Sequence, residues 1–427
     1  MATKRHISLY YGSISINRSF RFILDWVQNF FRSNDYCRKM LHEYIKVTYY
    51  SEATDIYSYG SARSALAAFL KAYGIKEGDE VILSAYTCLA VPTAILAAGG
   101  TPVYVDINSD TLNIEIQGIQ KCMSPKVKAI IIQHTLGKIA NVKEIVDFAQ
   151  SKGIVTIEDC ALSLGSRING KLIGSFADAA ILSMELSKTL SIGWGGILVV
   201  NKTEINGLVK KNYNLLSEKG RASASKDLCQ TVISAISYHP SLYHILGKYV
   251  LFAGFTSKLF RKSTPTNEFL GLIADDFILK MSGIQASIAL LQWKDAQRTI
   301  FLTNKNATHL RKLLYGLNIE MPGIPELSEY GVSPRLSFYT NDRSVAVDYF
   351  MERGIELGQW FDGPLSPVPT NPSFNYLPGQ YPLAEAVAMK IVNLPCHSRI
   401  TGRDLDHMEN VLKNFISENP ENIVTNV

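Results

Sequence analysis

The chain has 427 residues, 47% hydrophobic and 19% charged, with a net charge of +5. That is long enough for one large and one small domain, and the composition is free of low-complexity tracts and short-period repeats. The positive excess is spread thinly, without the dense basic run that nucleic-acid binding would call for.

In chain order, residues 1–54 read as an N-terminal arm carrying an aromatic, amphipathic helix around Phe20 to Phe31. Met1 to His6 lead into polar and aromatic residues, with no hydrophobic signal core, and no later stretch approaches the roughly 20 uninterrupted apolar residues of a spanning helix. Cytoplasm is the expected compartment. Residues Tyr57 to Leu66 (YSYGSARSAL) form a Gly/Ser turn that opens a helix with Leu66, Phe69 and Leu70 on its apolar face and its end near Gly74. Backbone N–H groups at such a helix start, with the Ser61 hydroxyl, make an anion site, and Gly60 lets the backbone come close. A simple N-cap is the plain alternative.

Glu80–Leu83, Pro102–Val105 and Ala129–Ile132 read as strands alternating with helical stretches, which predicts a mainly parallel sheet covered on both faces. Gly153–Ile157 reads as a buried strand ending in a carboxylate, Asp159. Ala179–Ser183 reads as another, running into a turn that bears Lys188. Acid and amine at neighbouring strand ends can face one ligand in a shared cleft. Pyridoxal phosphate uses this pair: a lysine forms the Schiff base, and an aspartate keeps the pyridine nitrogen protonated. Ordinary loop or cap roles for Asp159 and Lys188 are the competing reading.

Beyond residue 205 the character changes. Between Asp227 and Glu268 there is no acid, while Lys248, Lys258, Arg261 and Lys262 are basic and apolar or aromatic side chains are dense. Such a stretch, 228–262, suits either packing on its own body or at a dimer interface, or contact with an anionic membrane surface, peripheral on the inner face. An Ala/Leu-rich helix from Gly283 to Trp293 follows. From about 300 to 427 the chain reads as a small α/β lobe, with a strand at Arg335–Tyr339, helices near Val345–Arg353 and Asp404–Phe415, and a Pro/Gly-rich loop, Gly363 to Pro382, suited to substrate gating. The six cysteines (Cys37, Cys88, Cys122, Cys160, Cys229, Cys396) show no C-x-x-C spacing, so reduced thiols are expected and no metal.

Taken jointly, five segments resemble the DegT/DnrJ/EryC1/StrS family of pyridoxal phosphate-dependent aminotransferases: the YGSARSAL helix start, GDEVILSAYTCLAVPTAILAAGGTPVYVDINSDTLNI, IIQHTLGKIANVKEI, IEDCALSLGSRINGKLIGSFADAAILSMELSKTLSIGWGGILVVN and YPLAEAVAMKIVNLPCHSRIT. The resemblance runs from about residue 55 to 415, with a long unmatched stretch between. It implies an α/β chain of fold type I: a mainly parallel seven-stranded sheet in a three-layer large domain (55–299, with a helical insertion at about 205–275) and a small C-terminal domain (300–427). Lys188 takes the Schiff-base position and Asp159 the pyridine-nitrogen partner. Gly60, Ser61, Ala62 and Ser183 take the phosphate site, and His134 with Gly137 the His-x-x-Gly loop. Three positions depart from the family pattern: Leu162 replaces a hydrogen-bonding Gln or His, Cys88 replaces a ring-stacking aromatic, and Ile278 replaces an asparagine that reaches a partner subunit. Cys88 reads best as a small buried hydrophobe.

The resemblance implies a homodimeric transaminase that moves an amino group from glutamate to a keto-sugar acceptor, nucleotide-linked, in polysaccharide, glycoconjugate or antibiotic biosynthesis. Two rivals stand beside it: another pyridoxal phosphate reaction on the same scaffold, and a non-catalytic binding or regulatory protein.

Overall fold

In the computed structural model, residues 5–262, 268–269, 278–323, 331–369 and 371–425 are described. Residues 263–267 and 270–277 of the expected insertion, and residue 370 of the Gly363–Pro382 loop, lie outside these. The strands are β1 (Asp55–Tyr59), β2 (Glu80–Ser84), β3 (Thr87–Cys88), β4 (Thr101–Val105), β5 (Val127–Gln133), β6 (Val155–Asp159), β7 (Arg167–Ile168), β8 (Lys171–Leu172), β9 (Ala179–Ser183), β10 (Gly196–Val200), β11 (Arg335–Tyr339), β12 (Leu365–Ser366) and β13 (Ile391–Pro395). Seven of them build one sheet in the order β1-β10-β9-β6-β5-β2-β4. From β9 to β4 every pairing is parallel; β10 and β1 complete the sheet as antiparallel strands.

Alternation along the strands explains why both faces are covered. On β5, Ala129 and Ile131 join the apolar cluster under the helix Ala62–Tyr73, while Ile130 and Ile132 join the cluster on the opposite face. On β9, Ala179 and Ile181 point one way and Ala180 and Leu182 the other. Strands buried on both sides read as continuous apolar runs, which is why they stand out in the sequence. Three chain positions share one row across the sheet, Ser183 opposite Gly196 and Gly196 opposite Tyr59. That row places the lysine-bearing turn beside the Gly60–Ser61 turn.

Residues 16–48 form two helices, Ile16–Asn29 and Asn34–Thr48, rather than one helix on an arm. Phe22, Leu41 and Ile45 are fully buried in the cluster that holds Trp293 of the helix Gly283–Lys294. Apolar side chains at i and i+4, such as Leu41 and Ile45, are what draw the second helix onto the body. The segment after 205 forms helices Thr203–Leu215, Arg221–Ser237 and Lys248–Thr256. Its inner face buries Leu228, Val232 and Leu251, while Ile245, Leu246, Tyr249, Phe252 and Leu259 stay exposed. No described helix is long and apolar enough to cross a membrane.

A further apolar cluster gathers the antiparallel pair β11 and β13 with the helices Ala296–Gly316, Arg343–Glu352 and Gly402–Glu418. Ile7 pairs with Ile355 and joins this cluster, so the start of the chain is stitched to its C-terminal part. The Pro/Gly-rich loop turns back toward the sheet: β12 pairs in parallel with β3.

Candidate active site

Lys188 is aimed by a tight loop between β9 and β10. Met184 and Gly195 close its neck with an N–H to carbonyl bond of 2.9 Å, and Ile192 donates to the Met184 carbonyl at 3.0 Å. Within the loop the Glu185 carboxylate accepts from Ser187 N–H at 3.0 Å and from the Ser187 hydroxyl at 2.7 Å. Gly193 makes the loop possible, since it sits at φ +87° and a Cβ there would fall 2.0 Å from Thr231 Oγ1. Asp159 is the last residue of β6, in register with Ile181 of β9. Its Oδ1 accepts from Ala161 N–H at 2.9 Å.

Lys188, Asp159, Ser183, Ser61, Ala62 and Cys88 line one cavity of about 220 Å³, with Arg63, Glu185, Trp194, Trp360, Phe361, Ser366 and Pro367. On its far side Ser61 caps the helix Ala62–Tyr73, accepting from Ser64 N–H at 3.2 Å. Gly60 lies one residue behind, its N–H on the Leu279 carbonyl at 3.0 Å, and does not line the cavity. Neither does Leu162, which is buried in the main apolar cluster.

The environment sets the protonation of these groups. Burial pulls the Lys188 amine below its ordinary value and the Arg335 charge adds to this, against Glu185, Cys88 and Asp159. Burial raises the Asp159 carboxyl, opposed by the Ala161 N–H and by Lys188. The Cys88 thiol is likewise pushed up by burial, so it stays a neutral small group.

Several contributors escaped sequence reasoning. Trp360 brings its ring to within 4.9 Å of Lys188 Nζ, where the aromatic expected next to β3 is replaced by Cys88. Arg63 lines the cavity and is ion-paired with Glu268. Ser366 and Pro367 come from the loop suited to gating. Arg63 stood inside a motif already singled out, and Ser366 and Pro367 inside the loop picked out by its Pro/Gly content, whereas Trp360 carries no local signal.

His134 and Gly137, by contrast, stand away from the cavity lining. His134 is fully buried, its Nε2 at 3.1 Å from Glu158 and its Nδ1 accepting from Ala140 N–H at 3.1 Å. Glu158 also accepts from Gly174, Phe176 and Ala177 N–H groups. With Cys160 these residues form a buried trio at ligand-like spacing, but His134 and Glu158 already spend their lone pairs on holding β5, β6 and the following loop together.

Residues 45–413 match the DegT/DnrJ/EryC1/StrS aminotransferase family. The chain belongs to this family. It is an aminotransferase, and membership implies pyridoxal phosphate as cofactor. It is 28% identical over 383 residues to a "Pleiotropic regulatory protein" of Geobacillus stearothermophilus, covering 89% of this chain and 87% of that one. It is 40% identical over 146 residues to a UDP-N-acetyl-3-dehydro-alpha-D-glucosamine 3-aminotransferase of Acidithiobacillus ferrooxidans, a stretch spanning 34% of this chain and 40% of that enzyme. Among solved structures, Helicobacter pylori PseC, an aminotransferase involved in pseudoaminic acid biosynthesis, superposes with a TM-score of 0.73 at 17% identity, covering 97% of this chain and 100% of PseC.

Proposed function

We propose that the cavity binds pyridoxal phosphate and that the enzyme moves an amino group from glutamate to a keto-sugar, nucleotide-linked, in glycoconjugate or polysaccharide biosynthesis. The observation that carries this is the convergence of Lys188 and Asp159 on one cavity whose opposite side is a serine-capped helix start. The donor set fits the cofactor: an amine for its aldehyde, a carboxylate for its ring nitrogen, and Ser61, Ser183 and the positive end of the helix that Ser61 caps for its phosphate. When bound, the cofactor supplies an electron-withdrawing ring that makes the donor's Cα–H acidic.

The protein's part follows from its own residues. Lys188, with its amine pulled below the ordinary lysine range, would hold the cofactor through Nζ and, as a base, carry a proton at Nζ to and from the substrate carbon. Asp159, its carboxylate held in place by the Ala161 N–H, would pair with the ring nitrogen and favour its protonated form. Trp360 and Phe361 wall the cavity, and Ser366 and Pro367 stand at it beside Cys88, narrowing the access of water. Leu162 and Cys88 supply no hydrogen bond or stacked ring, so binding rests on the lysine, aspartate and phosphate contacts.

The decisive experiment purifies the protein with added pyridoxal phosphate and follows its visible absorbance as glutamate is titrated in. The lysine-bound yellow form should bleach, and Lys188→Ala should lose both the colour and keto-acid production while keeping its fold. Measurable transamination by that variant would refute the assignment. A second reading, a regulatory protein on the same fold, draws on the name of the Geobacillus relative; a colourless wild type would favour it.

A homodimer is the proposed working unit. The exposed apolar positions Leu246, Phe252 and Leu259, flanked by exposed Lys248, Lys258 and Lys262, support contact with an anionic membrane surface.

A further inference from the structure

Among the described residues, four charged side chains line the Lys188 cavity: Lys188, Asp159, Glu185 and Arg63. The loop that carries the lysine, Met184 to Gly195, brings an acid and no second cation. Once the Lys188 amine is engaged with an aldehyde, Arg63 is the permanent positive charge that this lining retains, against two carboxylates. A phosphate monoester adds roughly two negative charges at neutral pH. Asp159 and Glu185 would repel it, and a helix N-terminus offsets only about half a charge.

Arg63 is placed to meet that anion. It stands in the first turn of the helix Ala62–Tyr73, directly after the Ser61 cap and Ala62, and these neighbours line the cavity with it. Its charge is felt at the Cys88 thiol, ahead of that of Lys188. Arg63 is ion-paired with Glu268, which is 4% exposed and lies outside the cavity lining. Burial raises the Glu268 carboxyl, opposed by the charges of Arg63 and Arg261. A buried ion pair gains little over the cost of drying its charges, so a better anion can displace one member. A phosphate is such an anion, with more charge than a carboxylate and more acceptor oxygens for the planar fork of a guanidinium. Glu268 then keeps the charge of Arg261 near it.

We propose that Arg63 grips the cofactor's phosphate by giving up its ion pair with Glu268, which makes Glu268 a competitor built into the site. This rests on the pyridoxal phosphate reading and adds a control to it: Glu268 sets how tightly the cofactor is held.

The test titrates pyridoxal phosphate, and pyridoxal, which lacks the phosphate, into the full chain and follows the yellow absorbance. Arg63→Gln should weaken pyridoxal phosphate roughly tenfold or more and pyridoxal by less than roughly twofold. Glu268→Gln keeps the shape and removes the rival charge, so it should tighten pyridoxal phosphate and leave pyridoxal unchanged. Arg63→Gln strands Glu268 without its partner, and the single variant can misfold for that reason alone. The double variant Arg63→Gln/Glu268→Gln removes both charges and should still prefer pyridoxal phosphate over pyridoxal roughly tenfold less than wild type does. Equal losses for the two ligands would mean that Arg63 shapes the turn, and would overturn the proposal. So would unchanged binding of pyridoxal phosphate, or a Glu268→Gln variant that binds it more weakly. A wild type that turns yellow with neither ligand sinks the cofactor reading and this proposal together, whereas a yellow wild type with indifferent variants sinks the role of Arg63 alone.

Discussion

A Cβ added at Gly196 would lie 2.3 Å from the Ala62 nitrogen and 2.4 Å from the Ser61 carbonyl oxygen. The backbone of β10 therefore sits directly behind the turn proposed to hold the cofactor phosphate. Gly196→Ala must push that turn into the cavity, and backbone does not yield as a flexible side chain would. Overpacking of this kind costs about 1–3 kcal/mol, and the variant should need at least roughly tenfold more pyridoxal phosphate for half-maximal absorbance. An unchanged titration would mean that the turn does not touch the phosphate. Asp159→Asn keeps the shape and the bond from Ala161 but removes the charge. It should still bind cofactor while transamination drops roughly 100-fold or more, as measured by keto-acid release. Asp159, Ser183, Lys188 and Ser61 were legible because each sits in a short motif whose neighbours fix its placement. Trp360 was not, since nothing around it in sequence marks it; only the approach of its ring to Lys188 Nζ in the fold does.

At the scale of elements, the helix Ala62–Tyr73 announces itself fully: Ser61 caps it, Leu66, Phe69 and Leu70 are buried, and Gly74 ends it at φ +104°. Strands of the parallel core were equally readable as apolar runs. The helix Asn34–Thr48 was not singled out, because its buried stripe is narrow and includes Arg38, which packs with its guanidinium on the Met281 carbonyl at 2.8 Å. The pairing of β3 with β12 has no sequence signal, since each is two residues long. The helices after residue 220 carry a prediction of their own. Arg261 lies over the Trp194 ring at 5.1 Å and its backbone bonds to Gln230, so it is committed to the body. Lys248, Lys258 and Lys262 are exposed and free of that duty. Their triple replacement by Glu should abolish co-sedimentation with vesicles rich in anionic lipid and leave neutral vesicles unaffected. Wild-type protein that stays in the supernatant with both kinds of vesicle would sink the membrane reading.

Across the whole molecule, three histidines are buried in the neutral form. Burial lowers His6 to about 4, His397 to about 4 and His42 to about 3, from an ordinary 6.5. Unfolding frees each of them to take a proton below pH 6.5, so the unfolded chain binds more protons than the folded one. Stability is therefore full above 6.5 and declines as pH falls from 6.5 toward 4, by up to about 1.4 kcal/mol per pH unit for each histidine. Melting temperatures recorded across that window should fall with acid, and a flat profile would show these sites reached by water. His397 and His6 both touch the seam between the first residues and the C-terminal part, through the Ser8 carbonyl at 2.8 Å and Glu356 at 3.7 Å, so acid should loosen that seam early. The row Tyr59–Gly196–Ser183 has a kinetic consequence as well. β1 is an edge strand whose only pairing in the sheet is with β10, so it joins only after β10 has folded back on β9, and until then the two halves of the cavity do not meet. Closing that gap is a long-range event and hence slow. In a refolding experiment, recovery of cofactor colour should lag behind recovery of helical signal, acting as a clock for the docking of the edge strand β1 on β10.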